Sequence, residues 1–295
     1  MPFGLMISKI ISILFPVFAL VALGYFYGRK HESDMSVANR LNMHAFTPAL
    51  IFAGLSTKSY DLATYGMLAL GMLIMVLGSG VVAWVLARLT NTQLPTLALP
   101  LMFNNGVNLG VPLAMLTFGP DIVPLAILLF VVSASLHFSL GIWLLDHHAR
   151  IGNLWRNPVV LAAVAGFAVG ASHIQVWAPL STSVKMLGDI SIPLALFGLG
   201  VRLTDGALKQ WRIGIVAAIA RPLAGMFIAW GAALLLGLEG RQAQLLLLYG
   251  ALPPAVMNYV FAEHYGRDPD KMASIVLIGN LASIVFVPIA LAMIL

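Results

Sequence analysis

Phe103-Asn-Asn-Gly-Val-Asn-Leu-Gly-Val-Pro-Leu113 carries three asparagines, two glycines, a proline and no charge, and it lies inside an apolar run long enough to cross a membrane. Glycine and proline both weaken a helix, and hydrocarbon penalises every amide left without a partner. Such a segment persists only where protein encloses the opened backbone or where it lines a cavity. Secondary transporters build solute sites in this way, from discontinuous helices whose half-helix ends meet near the bilayer midplane. The stretch is therefore predicted to be the opened crossing point of a transporter helix. The plain structural alternative is a kinked, close-packed helix whose asparagines bond to neighbouring helices.

Composition sets the frame for this reading. Of 295 residues, 60% are hydrophobic and 9% charged, with mean hydropathy +0.96. Soluble domains carry about 25% charged residues, so an all-α polytopic membrane protein is predicted. The length suits about ten spans of ~20 residues, with no segment polar enough for a soluble domain. There is no cysteine, which excludes disulfides and thiolate metal sites. No His-Glu-x-x-His, aspartate-rich diphosphate motif or phosphate-binding loop is present, so nothing supports an enzyme, ATP use, a cofactor or a metal. The net charge of +5 comes from basic residues scattered singly, a membrane-orientation signal rather than a nucleic-acid one.

Spans are expected near 8–27, 36–56, 63–87, 95–118, 122–145, 157–175, 180–201, 213–236, 243–264 and 272–294. The first is too long for a cleaved signal and runs into Arg29 and Lys30. With ten spans, eleven of the sixteen Lys and Arg residues fall on one side and four on the other, with Arg221 inside the eighth span. The positive-inside rule then places both termini outside and the His147–Asn157 loop in the cytoplasm, a topology expected in a bacterial inner membrane. An internal repeat is also legible. Pro48 and Phe52 in span two match Pro193 and Phe197 in span seven at one offset. Pro112 in span four meets Asn258 in span nine at nearly the same offset. Two five-span repeats, 1–150 and 151–295, follow. An odd span number inverts the second repeat, an arrangement that puts the site at the repeat interface.

These residues resemble a known family. Asn105-Gly-Val-Asn-Leu-Gly-Val-Pro112 and Leu252-Pro-Pro-Ala-Val-Met-Asn-Tyr-Val-Phe-Ala262 are similar to the fourth- and ninth-helix motifs of the auxin efflux carrier family. That family includes plant auxin carriers and bacterial carriers of small dicarboxylates such as malonate and malate. The resemblance implies helices four and nine broken and crossing, in a fold shared with sodium–bile acid symporters and sodium–proton antiporters. It implies a scaffold of helices 1, 2, 6 and 7 and a moving transport domain of helices 3–5 and 8–10. Two departures stand out. Asn258 replaces the proline usual in plant carriers, and Lys58 lacks the aspartate that usually accompanies it.

The function expected is secondary transport of small organic anions, mono- or dicarboxylates or auxin-like acids, by a homodimer in the bilayer. Coupling to a proton or a sodium ion is left open, and a sodium-coupled symporter of the bile-acid type is the alternative. Asn104, Asn105, Asn108, Gly110 and Pro112 in span four, with Pro254 and Asn258 in span nine, are the candidate solute-binding residues. Free helix-end N–H groups beside them would suit a carboxylate. Arg221, ~14 Å deep at ~1.5 Å per residue, is expected to meet the solute, the Asp189 or Glu263 carboxylate, or backbone carbonyls of the broken helices. Asp189 and Lys185 share a helix face four residues apart. With His44 and Glu263 they are the candidate coupling or supporting residues.

Overall fold

The computed structural model describes residues 3–31, 35–56, 62–147, 158–172, 174–202, 204 and 208–295. Lys58 and most of the expected cytoplasmic loop, residues 148–157, lie outside the described residues. The described chain is helical: α1 Phe3–Lys30, α2 Ser36–Leu41, α3 Thr47–Ser56, α4 Leu62–Leu89, α5 Leu94–Met102, α6 Val111–Phe118, α7 Val123–Leu136, α8 Ile142–Leu145, α9 Pro158–Ala171, α10 Ala178–Arg202, α11 Trp211–Leu236, α12 Gly240–Ala251, α13 Met257–His264 and α14 Pro269–Ile294. Three π-helical turns, Asn42–Phe46, Gly106–Gly110 and His137–Gly141, join α2 to α3, lead into α6, and join α7 to α8. Among the described residues, six helices are long and apolar enough to cross a membrane, and Gly106–Phe118 and Pro158–Ala171 form shorter apolar helices. Large apolar side chains such as Phe15, Trp230, Leu235 and Ile284 stand exposed on the outer faces, as a lipid-facing surface requires.

The helices pack in two groups. In one, α1 lies on α10, and α3 lies on α9 and α10. In the other, α4 lies on α5, α7 and α11, while α11 lies on α12 and α14. Glycines set the closest contacts. A Cβ at Gly24 would collide with the Phe197 carbonyl, and one at Gly200 with the Val21 carbonyl. The α1 and α10 backbones therefore touch, the small-residue packing that replaces the hydrophobic effect between helices in lipid. At its far end α11 stops at Gly237, whose φ of 63° is the left-handed conformation that closes a helix.

Candidate functional site

Two of the helical runs are interrupted where the sequence is poorest in helix formers. The first opens after α5. Phe103 is extended (φ −109°, ψ 110°), and the helix resumes only at Gly106. The second opens after α12, where Leu252 takes ψ 145°; the residue before a proline is driven out of the helical region, and Pro253 follows. The two openings meet. Asn105 N–H donates to the Pro253 carbonyl (2.9 Å) and Ala255 N–H donates to the Phe103 carbonyl (3.0 Å). Asn104 and Pro254 thus form an isolated antiparallel bridge. Each opened backbone satisfies the other, which is how broken helices survive at this depth.

Within the stretch Phe103–Leu113 the gap is confined to Phe103–Asn105. Gly106–Pro112 is helical, not open: Leu109 and Gly110 N–H groups both reach the Asn105 carbonyl (3.1 Å each) as a π turn. Pro112 follows the π turn directly, where the regular α-helical ladder is already interrupted. In the second opening Pro253 and Pro254 are unwound, while Asn258 already belongs to α13.

A cavity of about 150 Å³ lies beside this bridge, between the two helix groups. Asn104, Asn105, Gly106, Val107 and Asn108 line it from the first opening, and Ala255, Val256 and Met257 from the second. Gly106 and Met257 open helical segments, so the first N–H groups of two half-helices lie at its wall. Asn39, Asn42, Met43 and Thr47 line the opposite wall together with Ala195, Gly198 and Leu199 of α10. Phe130, Ser133 and Ala134 of α7, Val159 of α9, and His137 and Phe138 complete it. All three π turns therefore contribute side chains to one cavity, and π turns concentrate at functional sites.

Among the described residues, Asn104 Oδ1, Asn105 Nδ2, Asn258 Oδ1 and His137 Nε2 are buried without a hydrogen-bond partner, as are Arg221 Nε and Nη2 and Asn280 Oδ1. Buried polar atoms are normally paired, so a cluster of orphans at one crossing is the mark of an interior built to receive polar atoms. The remaining atoms of these side chains fix the crossing. Asn104 Nδ2 donates to the Tyr249 carbonyl (2.8 Å), Asn258 Nδ2 to the Phe103 carbonyl (3.1 Å) and Asn280 Nδ2 to the Pro254 carbonyl (3.1 Å). The fully buried Tyr249 hydroxyl donates to the Ala126 carbonyl (2.7 Å) and reaches the Gly106 carbonyl (3.3 Å).

Asn104, Asn105 and Asn108 thus reach the cavity. Gly110 instead packs beneath Tyr249 and Leu252, and Pro254 against Gly279. Pro112 is buried in α6, and Asn258 is buried behind the wall. Arg221, 1% exposed, donates through Nη1 to the Gly250 carbonyl (3.0 Å). Of its expected partners only the backbone is met. Asp189 pairs instead with Lys185 (2.7 Å) on an exposed face of α10, because i,i+4 spacing offers a nearer cation. His44 is exposed and bonds to the Arg40 carbonyl (2.9 Å); the exposed Glu263 accepts from the Tyr259 hydroxyl (2.9 Å). None of these four lines the cavity.

Sequence reasoning passed over His137 and the polar wall of span two. Thr47 Oγ1 lies 2.9 Å from Ser191 Oγ, and Asn42 Nδ2 donates to the Ser191 carbonyl (3.4 Å). The signal was present: polar side chains in apolar spans are expensive and usually functional.

The comparisons with known proteins agree with this architecture. A family described as membrane transport protein matches residues 148–291. Auxin efflux carrier component 6 of Arabidopsis thaliana is 28% identical over 142 residues, 44% of this chain and 24% of the relative. An uncharacterized transporter of Methanocaldococcus jannaschii is 24% identical over 294 residues, 92% of this chain and 94% of the relative. Auxin efflux carrier component 3a of Oryza sativa subsp. japonica is 28% identical over 138 residues, 44% of this chain and 22% of the relative. The match to the plant carriers therefore spans about a quarter of their length, while that to the archaeal relative spans nearly all of it. Long apolar helices mark a multi-pass membrane protein, and the proteins it matches are membrane transport proteins. More narrowly, the relatives it resembles over its second half include carriers of the auxin efflux type.

Proposed function

We propose that the chain carries small organic anions across the membrane by alternating access, as a secondary transporter with the solute seated at the helix crossing. One observation carries this reading: two half-helix N-termini and the unpartnered Asn105 side chain converge on one cavity. Helix N-termini bear partial positive charge and free N–H groups, which suit a carboxylate. The lining offers amides, hydroxyls and an imidazole but no carboxylate. Hard cations such as sodium require several oxygen ligands, charged ones by preference, so an anion fits better. Packing supports the inverted repeat, because the pairings come in couples: α1 with α10 and α3 with α9, α4 with α5 and α11 with α12, α4 with α7 and α11 with α14. Each couple is related by a shift of five spans. On this reading the group containing α1–α3, α9 and α10 is the scaffold, and the remainder moves against it with both termini on the outer side.

The test is transport of acetate, malonate, succinate and indole-3-acetate into vesicles containing the purified chain, alongside their effect on its melting temperature. At least one should cross and stabilise. Silence from all four in both measurements would overturn the anion reading.

A further inference from the structure

We propose that His137 takes up a proton together with the anion, so that the carrier is proton-coupled through this side chain. The inference rests on the anion reading above and adds the coupling to it. His137 opens the π turn between α7 and α8 and is 5% exposed. Its ring stacks on Phe103 at 4.2 Å and 13°, and meets Phe261 edge-on at 4.9 Å. Phe103 is itself part of the crossing, its carbonyl held by Ala255 N–H and Asn258 Nδ2. The imidazole therefore sits directly against the opened backbone. The buried imidazole interacts with the Asn258 side chain, and neither Nε2 nor Asn258 Oδ1 has another partner among the described residues.

The charges around it decide what a proton would do. His137 is the one titratable side chain among the described residues lining the cavity. The elements packed on its turn are α5, α7, α8 and, through Phe261, α13. The first three carry no acidic or basic side chain. On α13, Tyr259 is bonded to Glu263, and Glu263 and His264 are exposed. Across the cavity, Arg40 and His44 are exposed, and Lys185 and Asp189 neutralise each other at the surface. An imidazolium at this position would thus have no anionic partner in the protein, and an uncompensated buried charge is strongly disfavoured. An anionic solute supplies the missing partner. By linkage, each then raises the affinity of the other by the same factor. The cavity is electroneutral when empty and neutral His137 faces it, and neutral again when it holds a monoanion and an imidazolium. Those are the two states a moving domain can carry through a low-dielectric barrier at least cost. Phe103 adds to this, since its ring face stabilises a cation stacked on it.

The experiment is calorimetric titration of the detergent-purified full chain with acetate, malonate, succinate and indole-3-acetate. It uses two buffers of different ionisation enthalpy between pH 6.5 and 8.5, where simple carboxylates stay ionised. The expected result is uptake of close to one proton per anion bound, with affinity falling towards about tenfold per pH unit at the alkaline end. His137→Gln, which keeps a hydrogen-bond donor but cannot titrate, and His137→Phe, which keeps the stack on Phe103, should abolish proton uptake and flatten the profile. His264→Gln should leave both intact. Anion binding by the wild type without proton uptake overturns the inference and leaves the anion reading standing. Proton uptake that persists in the two His137 variants overturns the assignment to this residue. Binding of no carboxylate at any pH overturns the anion reading and the coupling with it.

Discussion

Asn105 and Asn258 flank the same crossing but leave different atoms open, and this separates two effects. Asn105 Nδ2 has no partner among the described residues, and Asn105 lines the cavity. Asn105→Ala should therefore leave the melting temperature nearly unchanged and weaken carboxylate binding by about 1.5–3 kcal/mol, the range for a hydrogen bond to a charged group. That corresponds to roughly tenfold or more in affinity, readable by calorimetry. Asn258 Nδ2 instead ties the Phe103 carbonyl. Asn258→Ala should lower the melting temperature as well as the affinity, because it removes one of the two donors that hold the Phe103 carbonyl and empties a fully buried site. Equal thermal effects of the two changes would contradict this division. Arg221 shows the same logic with a charge. Its one bond caps the Gly250 carbonyl near the C-terminal end of α12, the negative end of that half-helix. Arg221→Lys keeps the charge and loses the planar fork, so it should fold and transport poorly, and Arg221→Leu should be worse. Full transport by Arg221→Leu in vesicles would show the guanidinium to be dispensable. At this scale the sequence revealed the asparagines and the arginine, because polar groups in apolar runs stand out. It did not reveal which atoms are already used by carbonyls, since those partners lie up to 155 positions away. His137 stands among apolar residues of span five, and only the stacking on Phe103 brings it to the crossing.

Helix breakers marked the two openings to within a few residues, and their displacement has a cause. In span four the glycines and Pro112 initiate the second half-helix instead of forming the gap. A π turn absorbs Gly106–Gly110, and Pro112 follows it where the regular α-helical ladder is already interrupted. In span nine the adjacent prolines do form the gap, because Pro253 forces Leu252 out of helical geometry. Pattern alone does not distinguish a proline that starts a helix from one that ends it. The close approach of α14 to the second opening was not legible either, as it depends on Gly279 having no side chain. A Cβ there would lie 2.6 Å from Pro254 Cδ, while the neighbouring Asn280 amide holds the Pro254 carbonyl. Gly279→Ala should push Pro254 off its place, lower the melting temperature and weaken carboxylate binding about tenfold or more. Gly231 on α11 gives the contrast, since a Cβ added there meets nothing within 4 Å. Gly231→Ala should be neutral or stabilising by about 0.5–1 kcal/mol, as alanine replaces glycine in a helix interior. A Gly279→Ala protein as stable and as avid as the parent would show that the contact between α14 and Pro254 does not position the crossing.

For the molecule as a whole, the two helix groups meet through a small set of contacts, and the cavity lies at that boundary. Alternating access requires the groups to move as bodies, with interiors fixed and the boundary sliding. The absence of any native cysteine makes this directly testable, since an introduced pair has only itself to bond. Across the boundary, a Cβ placed on Gly54 of α3 would lie 3.7 Å from Ile127 Cγ1 of α7. A cysteine at 127 carries its sulfur near that Cγ1 position, so Gly54→Cys with Ile127→Cys is within reach of a disulfide after a small adjustment. Within one group, a Cβ on Gly78 of α4 would lie 3.6 Å from Ile228 Cγ1 of α11, which makes Gly78→Cys with Ile228→Cys a matched control. Oxidation of the boundary pair should stop transport in vesicles, and reduction should restore it. Oxidation of the control pair should leave transport unaltered, because α4 and α11 travel together. Carboxylate binding should survive in the cross-linked boundary protein, since the cavity is present in this conformation; that outcome separates a blocked movement from a damaged site. Undiminished transport with the boundary disulfide fully formed would mean that these two groups do not move against each other, and the solute would have to pass by local opening around the crossing.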